Sequence, residues 1–203
     1  MLSYIKAFLP KPKLRTVAAL QQFLADEAAF LAQRSVVDFV RNELGSLSAQ
    51  AFDDPRFQAK LAVSRWEGFG ATLADMVVLT QSSLVAGGVP REAVDTRLGD
   101  LYAAILTNQP PPEHRTEGWT ADIAGLRARL AARANGDPAS PQAFAQASGS
   151  MVFDTLPFVP RDPADGRMVL ANAFAFGLIS FNDRLRRLLV VASLRDELAA
   201  SGR

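Results

Sequence analysis

The chain has 203 residues, 49% of them hydrophobic and 21% charged, with 22 basic residues against 21 acidic ones. That length suits one domain, and the hydrophobic share excludes a disordered chain. The near-neutral balance disfavours nucleic acid, because its binders draw most of their affinity from a basic excess. There is no cysteine and one histidine, His114. This excludes a thiol nucleophile, a disulfide frame, a thiolate metal cage and a His-rich metal site, so no cofactor, metal or catalytic residue is assigned.

Residues 1–15 read as an N-terminal amphipathic segment that mixes apolar residues with lysines, interrupted by Pro10 and Pro12. The prolines stop a helix and leave an extended connector. Tyr4, Ile5, Lys6, Phe8 and Leu9 are candidate contacts with a partner or a membrane surface, apolar side inward and lysines toward anionic lipid. No basic region precedes the apolar stretch and no small-residue cleavage site follows, so the chain is expected to be cytoplasmic.

Residues 16–203 read as a single helical domain. The spacing predicts a first long helix over 14–44, with Phe23, Phe30, Val37 and Leu44 on one line, Val17, Leu24 and Leu31 on a second, and Gly45 as its stop. Asp54-Pro55 predicts the start of a second helix, ending near Ala86 before Gly87-Gly88. Gly68 and Gly70 inside it cost about 1 kcal/mol each against Ala, which predicts a kink or a close helix crossing. A shorter helix is expected over 91–108, then a proline-rich loop at 109–118. Further helices are expected over 119–134, stopping at Asn135-Gly136, from Ser140-Pro141 to about Phe153, and from Asp162-Pro163 to about Ala200, the last with a bend. No alternation of period two competes with this reading. The expected fold is an all-α bundle of six or seven helices. Its apolar central helix is expected near the C-terminus, over Met168–Phe181, with Asn172 buried inside it.

Arg34 and Asp38 share one helical face, and Arg65-Trp66-Glu67 interrupts an apolar helix. Converging, these residues would form a charged network able to orient a carboxylate or phosphate, although such residues more often sit in solvent or fix helix register. Phe174, Phe176 and Phe181 are candidate walls of an apolar pocket, against the commoner role of core filling. His114 lies in the proline loop and reads as a solvated side chain, with Glu113 as its nearest orienting group. Arg184, Arg186 and Arg187 read as an exposed face completing pairs along the helix. Ser148 lacks a nucleophile elbow, Gly87-Gly88 lacks the Lys-Ser/Thr of a phosphate loop, and a di-iron site cannot be built with one loop histidine.

These features read as a non-enzymatic helical interaction protein, an adaptor, assembly factor or regulator that acts through protein contacts and self-association. The alternative is a binding module for an apolar or amphipathic small molecule between helices, with Arg65 or Arg34 meeting its polar head. A second alternative is an enzyme without metal, built on Asp38, Arg34, Arg65 and Glu67.

Overall fold

The computed structural model describes residues 12–133 and 140–200, and the contacts expected of Tyr4, Ile5, Lys6, Phe8 and Leu9 lie outside them, as does the stop at Asn135-Gly136. The fold is an all-α bundle. Its elements are α1 (Val17–Leu44), a 3-10 turn (Gly45–Leu47), α2 (Ser48–Asp53), α3 (Pro55–Ala86), α4 (Arg91–Thr107), α5 (Thr120–Ala132), α6 (Pro141–Asp154), α7 (Pro163–Leu188) and α8 (Val191–Ala200).

Helix boundaries follow local chemistry. Thr16 accepts from the Ala19 amide at 3.2 Å and opens α1, three residues later than the apolar pattern begins. Leu14 is extended instead. Its amide donates to the Leu188 carbonyl at 2.9 Å and its carbonyl accepts from Val190 at 3.0 Å. That isolated bridge breaks the last helix, so the expected bend is a full interruption between α7 and α8. Asp54, Ser140 and Asp162 cap α3, α6 and α7, each followed by a proline that needs no amide partner. Gly45 leaves α1 at φ +51°, a region that favours glycine.

The central helix is α3, and not the C-terminal stretch. It packs against α1, α4, α5, α6 and α7. Leu61, Leu73, Met76, Val77, Val78, Leu79 and Leu84 are buried along it, together with Ser64, Thr72, Asp75, Thr80 and Gln81. The polar residues are what hide its centrality in the sequence, and the fold satisfies most of them, largely through partners on other elements. Thr80 Oγ1 donates to the Met76 carbonyl at 2.8 Å, and Gln81 Nε2 donates to Asp95 at 2.5 Å and to the Leu130 carbonyl at 3.2 Å. Among the described residues α3 is the one helix long and apolar enough to cross a bilayer, and most of that stretch is buried inside the bundle.

By contrast α7 is one-sided. Leu170, Ala171, Phe174, Leu178, Phe181 and Leu185 face the core, while Met168, Val169 and Phe176 are 56%, 50% and 73% exposed. Asn172 is exposed as well, because it shares the outward face of that helix.

The glycines of α3 mark close crossings, as expected from their cost. A Cβ on Gly68 would stand 2.9 Å from Val152 Cγ2, and one on Gly70 would stand 2.9 Å from the Trp119 ring. The first brings α3 against α6, and the second seats Trp119 beneath the loop that precedes α5.

Candidate functional site

The expected network of Arg34, Asp38, Arg65 and Glu67 does not form. Arg34 Nε reaches Asp38 at 3.3 Å, but both side chains are more than half exposed, so the pair is screened and contributes little. Arg65 and Glu67 are two residues apart, about 200° around the helix, and therefore face opposite ways. The phenylalanines separate too. Phe174 and Phe181 are fully buried, Phe181 stacked on Phe23 at 5.6 Å, whereas Phe176 is at the surface. These rings do not line one cavity. Arg184 departs from the exposed face expected of its cluster: it pairs with the buried Glu27 and ties α7 to α1.

Glu67 instead anchors the proline loop. Its Oε1 takes His114 Nε2 at 2.7 Å and Arg115 Nε at 2.7 Å, and its Oε2 takes Arg115 Nη2. Arg115 Nη1 continues to Asp122 at 2.5 Å. The guanidinium lies over the Trp119 ring at 4.0 Å. His114 is thus tied to α3 and is not a free loop side chain, and Glu67, not Glu113, is its partner. Burial raises the Glu67 carboxyl, but the hydrogen bonds and charges of Arg115 and His114 outweigh this and hold it below its ordinary value. No other hydrogen-bond partner of His114 is seen among the described residues, so the pair fastens the loop and has no adjacent nucleophile to activate.

A second polar group lies deeper. Asp75, on α3, accepts from Arg129 Nη1 of α5 at 2.8 Å and from Ser148 Oγ of α6. Its side chain is 2% exposed. Desolvation dominates there and pushes the carboxyl up, against the opposing pull of Arg129 and Ser148. A narrow cleft of about 200 Å³ opens above it between Tyr102, Gly125, Arg129 and Met151. Tyr102 donates to the Gly70 carbonyl at 3.3 Å, and burial raises its hydroxyl. Every member of this cluster has a partner within it, which is the pattern of an internal fastening across three helices.

A groove of about 680 Å³ lies between α1, α3 and the end of α4. Ala32 and Gly68 touch, and they lie about equally far from the turn that joins α1 to α3. The two helices therefore run antiparallel. Small residues on both make the space: Ala18, Ala25 and Ala29 from α1 and Ala62 from α3. The floor is Ile105 with the half-buried Trp66 and Phe69, whose rings meet edge to face at 5.9 Å. Gln21, Gln22, Gln33, Asn108 and Gln109 supply an amide rim, with Asp26 held by Gln22 at 2.8 Å.

Arg65 lines the same groove, and its Nε is buried with no acceptor. Of the candidate residues, then, Arg65 and Trp66 come together here, and Glu67 on the neighbouring position holds the loop. The alanine and glutamine positions on α1 carried no signal in the sequence. Their spacing on the face opposite the apolar stripe reads as an ordinary solvated surface until α4 closes one side. No known family, curated protein or solved structure matches this chain.

Proposed function

We propose that this protein is a non-catalytic binding module that takes an apolar or amphipathic small molecule in the groove between α1, α3 and α4. The observation that carries this reading is the combination of volume and lining. A concavity of about 680 Å³ lies within the range of ligand sites. Its floor is aromatic and aliphatic, its rim is amide, and its alanines leave the space open. The carboxylate and arginine candidates for an enzyme do not converge in one cleft, so the enzymatic reading has no support from their placement.

Filling the groove tests the proposal. Ala29 is exposed on the groove wall, so Ala29→Trp places an indole in the cavity without entering the core. Titration with decanol, followed by intrinsic tryptophan fluorescence and calorimetry, is expected to show saturable binding to the wild-type protein. The substitution should weaken that binding by about tenfold or more while leaving the melting temperature within a few degrees. Equal binding by both proteins would remove the groove from consideration.

A second reading, contact with another copy of the chain, is favoured by one feature. Met168, Val169 and Phe176 give α7 an exposed apolar face, and contiguous patches of this kind mark interaction surfaces. Phe176→Glu should abolish a concentration-dependent dimer in sedimentation velocity. A wild-type protein that stays monomeric at high concentration counts against this reading.

A further inference from the structure

We infer that the groove is a site for a single anionic headgroup, a carboxylate or a singly charged phosphate ester, received by Arg65, with an apolar tail lying over Trp66, Phe69 and Ile105. This deepens the binding-module reading and rests on it.

Most of the arginines that leave water in this fold are held by acidic partners. Arg115 is held by Glu67 and Asp122, Arg129 by Asp75, Arg184 by Glu27, and Arg91 by Asp95 and the Leu130 carbonyl. Arg65 is half-buried and has no hydrogen bond or ion pair among the described residues, and its Nε is shut away from solvent. Arg97 Nε and Arg184 Nε are also buried without an acceptor, but neither residue lines the groove. Leaving the buried Nε unpaired costs about 1–3 kcal/mol, and the Nη groups, which also have no acceptor among the described residues, are the donors that a ligand oxygen would meet. Burial lowers the Arg65 guanidinium from its ordinary value, yet an arginine remains charged at any physiological pH. The site therefore presents a permanent cation with open donors at the edge of an apolar floor.

The antiparallel register places Arg65 beside the Gln33 end of the groove, since Gly68, one turn further along α3, meets Ala32. A headgroup there would have the side-chain amide of Gln33 within the same lining, and a tail would extend over Trp66 and Phe69 toward Ile105. The one acid in the lining, Asp26, lies on the exposed rim. Its charge is remote from any pairing with Arg65, because no ion pair joins them. It nevertheless adds a negative field to the rim, and this favours a monoanion over a dianion.

The test is calorimetric titration of the full-length protein with decanoate, decanol and decyltrimethylammonium, each below its micelle concentration at neutral pH. These share one tail and differ in headgroup charge. Decanoate is expected to bind about tenfold or more tighter than decanol, with the cation weakest, as a charge-assisted hydrogen bond would give. In Arg65→Gln the decanoate advantage should fall to about twofold or less while decanol affinity is retained. Arg34→Gln, which removes an equal charge outside the groove, should leave the ranking intact. Equal affinity for decanoate and decanol in the wild type would overturn the headgroup assignment and leave the groove standing. Failure of all three probes to bind would overturn both. A preserved decanoate preference in a folded Arg65→Gln protein would place the anion elsewhere. If that variant does not fold, the wild-type ranking of the three probes still decides.

Discussion

Replacing Arg129 by Ala is expected to lower the unfolding free energy by about 3–5 kcal/mol near neutral pH, the usual result of stranding one member of a buried ion pair. The stranded group is Asp75. Its side chain is 2% exposed, whereas that of Arg129 is 35% exposed. Among the described residues, removing the arginine leaves a carboxylate deep in the bundle with the Ser148 hydroxyl as its one hydrogen-bond donor. Removing the aspartate instead would leave a guanidinium that can turn to water, so the two single substitutions are not symmetrical.

The loss should depend on pH in a defined direction. Burial already raises Asp75 above the ordinary carboxylate value with Arg129 present, and without Arg129 it rises further. A carboxyl whose folded value lies above its unfolded value contributes its full stability below the unfolded value. That contribution is lost as pH rises through the folded value. Arg129→Ala should therefore stand within about 1–2 kcal/mol of the wild type near pH 4 and fall well below it near pH 8. The arginine also lies over the Phe144 ring at 4.6 Å, and loss of that contact accounts for a remainder that does not vary with pH. Adding Asp75→Asn to Arg129→Ala should recover most of the deficit at high pH, since a neutral amide needs no counter-charge. Urea melts of the wild type, the single and the double variant across this range measure the effect. A pH-independent loss would mean that Arg129 acts through packing alone.

Local chemistry was legible in the chain, and long-range pairing was not. Asp54, Ser140 and Asp162 sit where capping residues belong, each directly before a proline, and Gly45 ends α1 with a positive φ, whereas the cap at Thr16 went unread because the apolar pattern already begins at Leu14. Each of these signals spans a few residues. The centrality of α3 was hidden because its polar residues are paired with partners far away in sequence. Gln81 finds Leu130 and Asp75 finds Ser148, pairings that no window of one helix contains. Conversely, the apolar run at Met168–Phe181 looked central because apolar composition was read without its azimuth. Met168, Val169 and Phe176 project on the side away from Phe174 and Phe181.

The candidate site was half legible for the same reason. Arg65 and Glu67 drew attention as charges inside an apolar helix, and the 100° step per residue already separates them. One face of α3 then goes to the groove and the other to the loop. What the spacing does not contain is the occupant of each side. His114 and Arg115 reach Glu67 across more than forty residues, and α4 closes the groove opposite alanines of α1 that look like plain surface. The two features share a wall. Asn108 and Gln109 end the groove where the proline loop begins, and Trp66 packs against Trp119 beneath Arg115 at 6.3 Å. The ion pairs of Glu67 therefore fix one end of the groove, so its shape depends on a loop that α3 itself holds in place.

The helix seam behind this arrangement gives the other large expected effect. α6 and α7 form the most extensive helix pair in the bundle, and Gly149 lies at their crossing. A Cβ there would stand 2.6 Å from Ala171 Cα and 3.0 Å from Ala171 N. Those are backbone atoms, so no side chain can rotate aside, and relief requires the helices to move apart. Gly149→Val should cost about 3 kcal/mol or more, at or beyond the upper end of ordinary overpacking, and lower the melting temperature by roughly 6–12 °C for a domain of this size. Gly125 is the matched control. It also lies within a helix, but nothing stands within 4 Å of a Cβ built on it. Gly125→Ala should stabilise by about 1 kcal/mol through helix propensity alone. Ser148 and its bond to Asp75 stand next to Gly149 on α6, so separating α6 from α7 also pulls at the one hydrogen bond that Asp75 makes besides Arg129 among the described residues. Gly149→Val and Arg129→Ala should consequently be non-additive when combined, because each weakens the same internal fastening. A Gly149→Val protein that melts with the wild type, or losses that simply add, would mean that the seam tolerates spreading and that Asp75 is held independently of it.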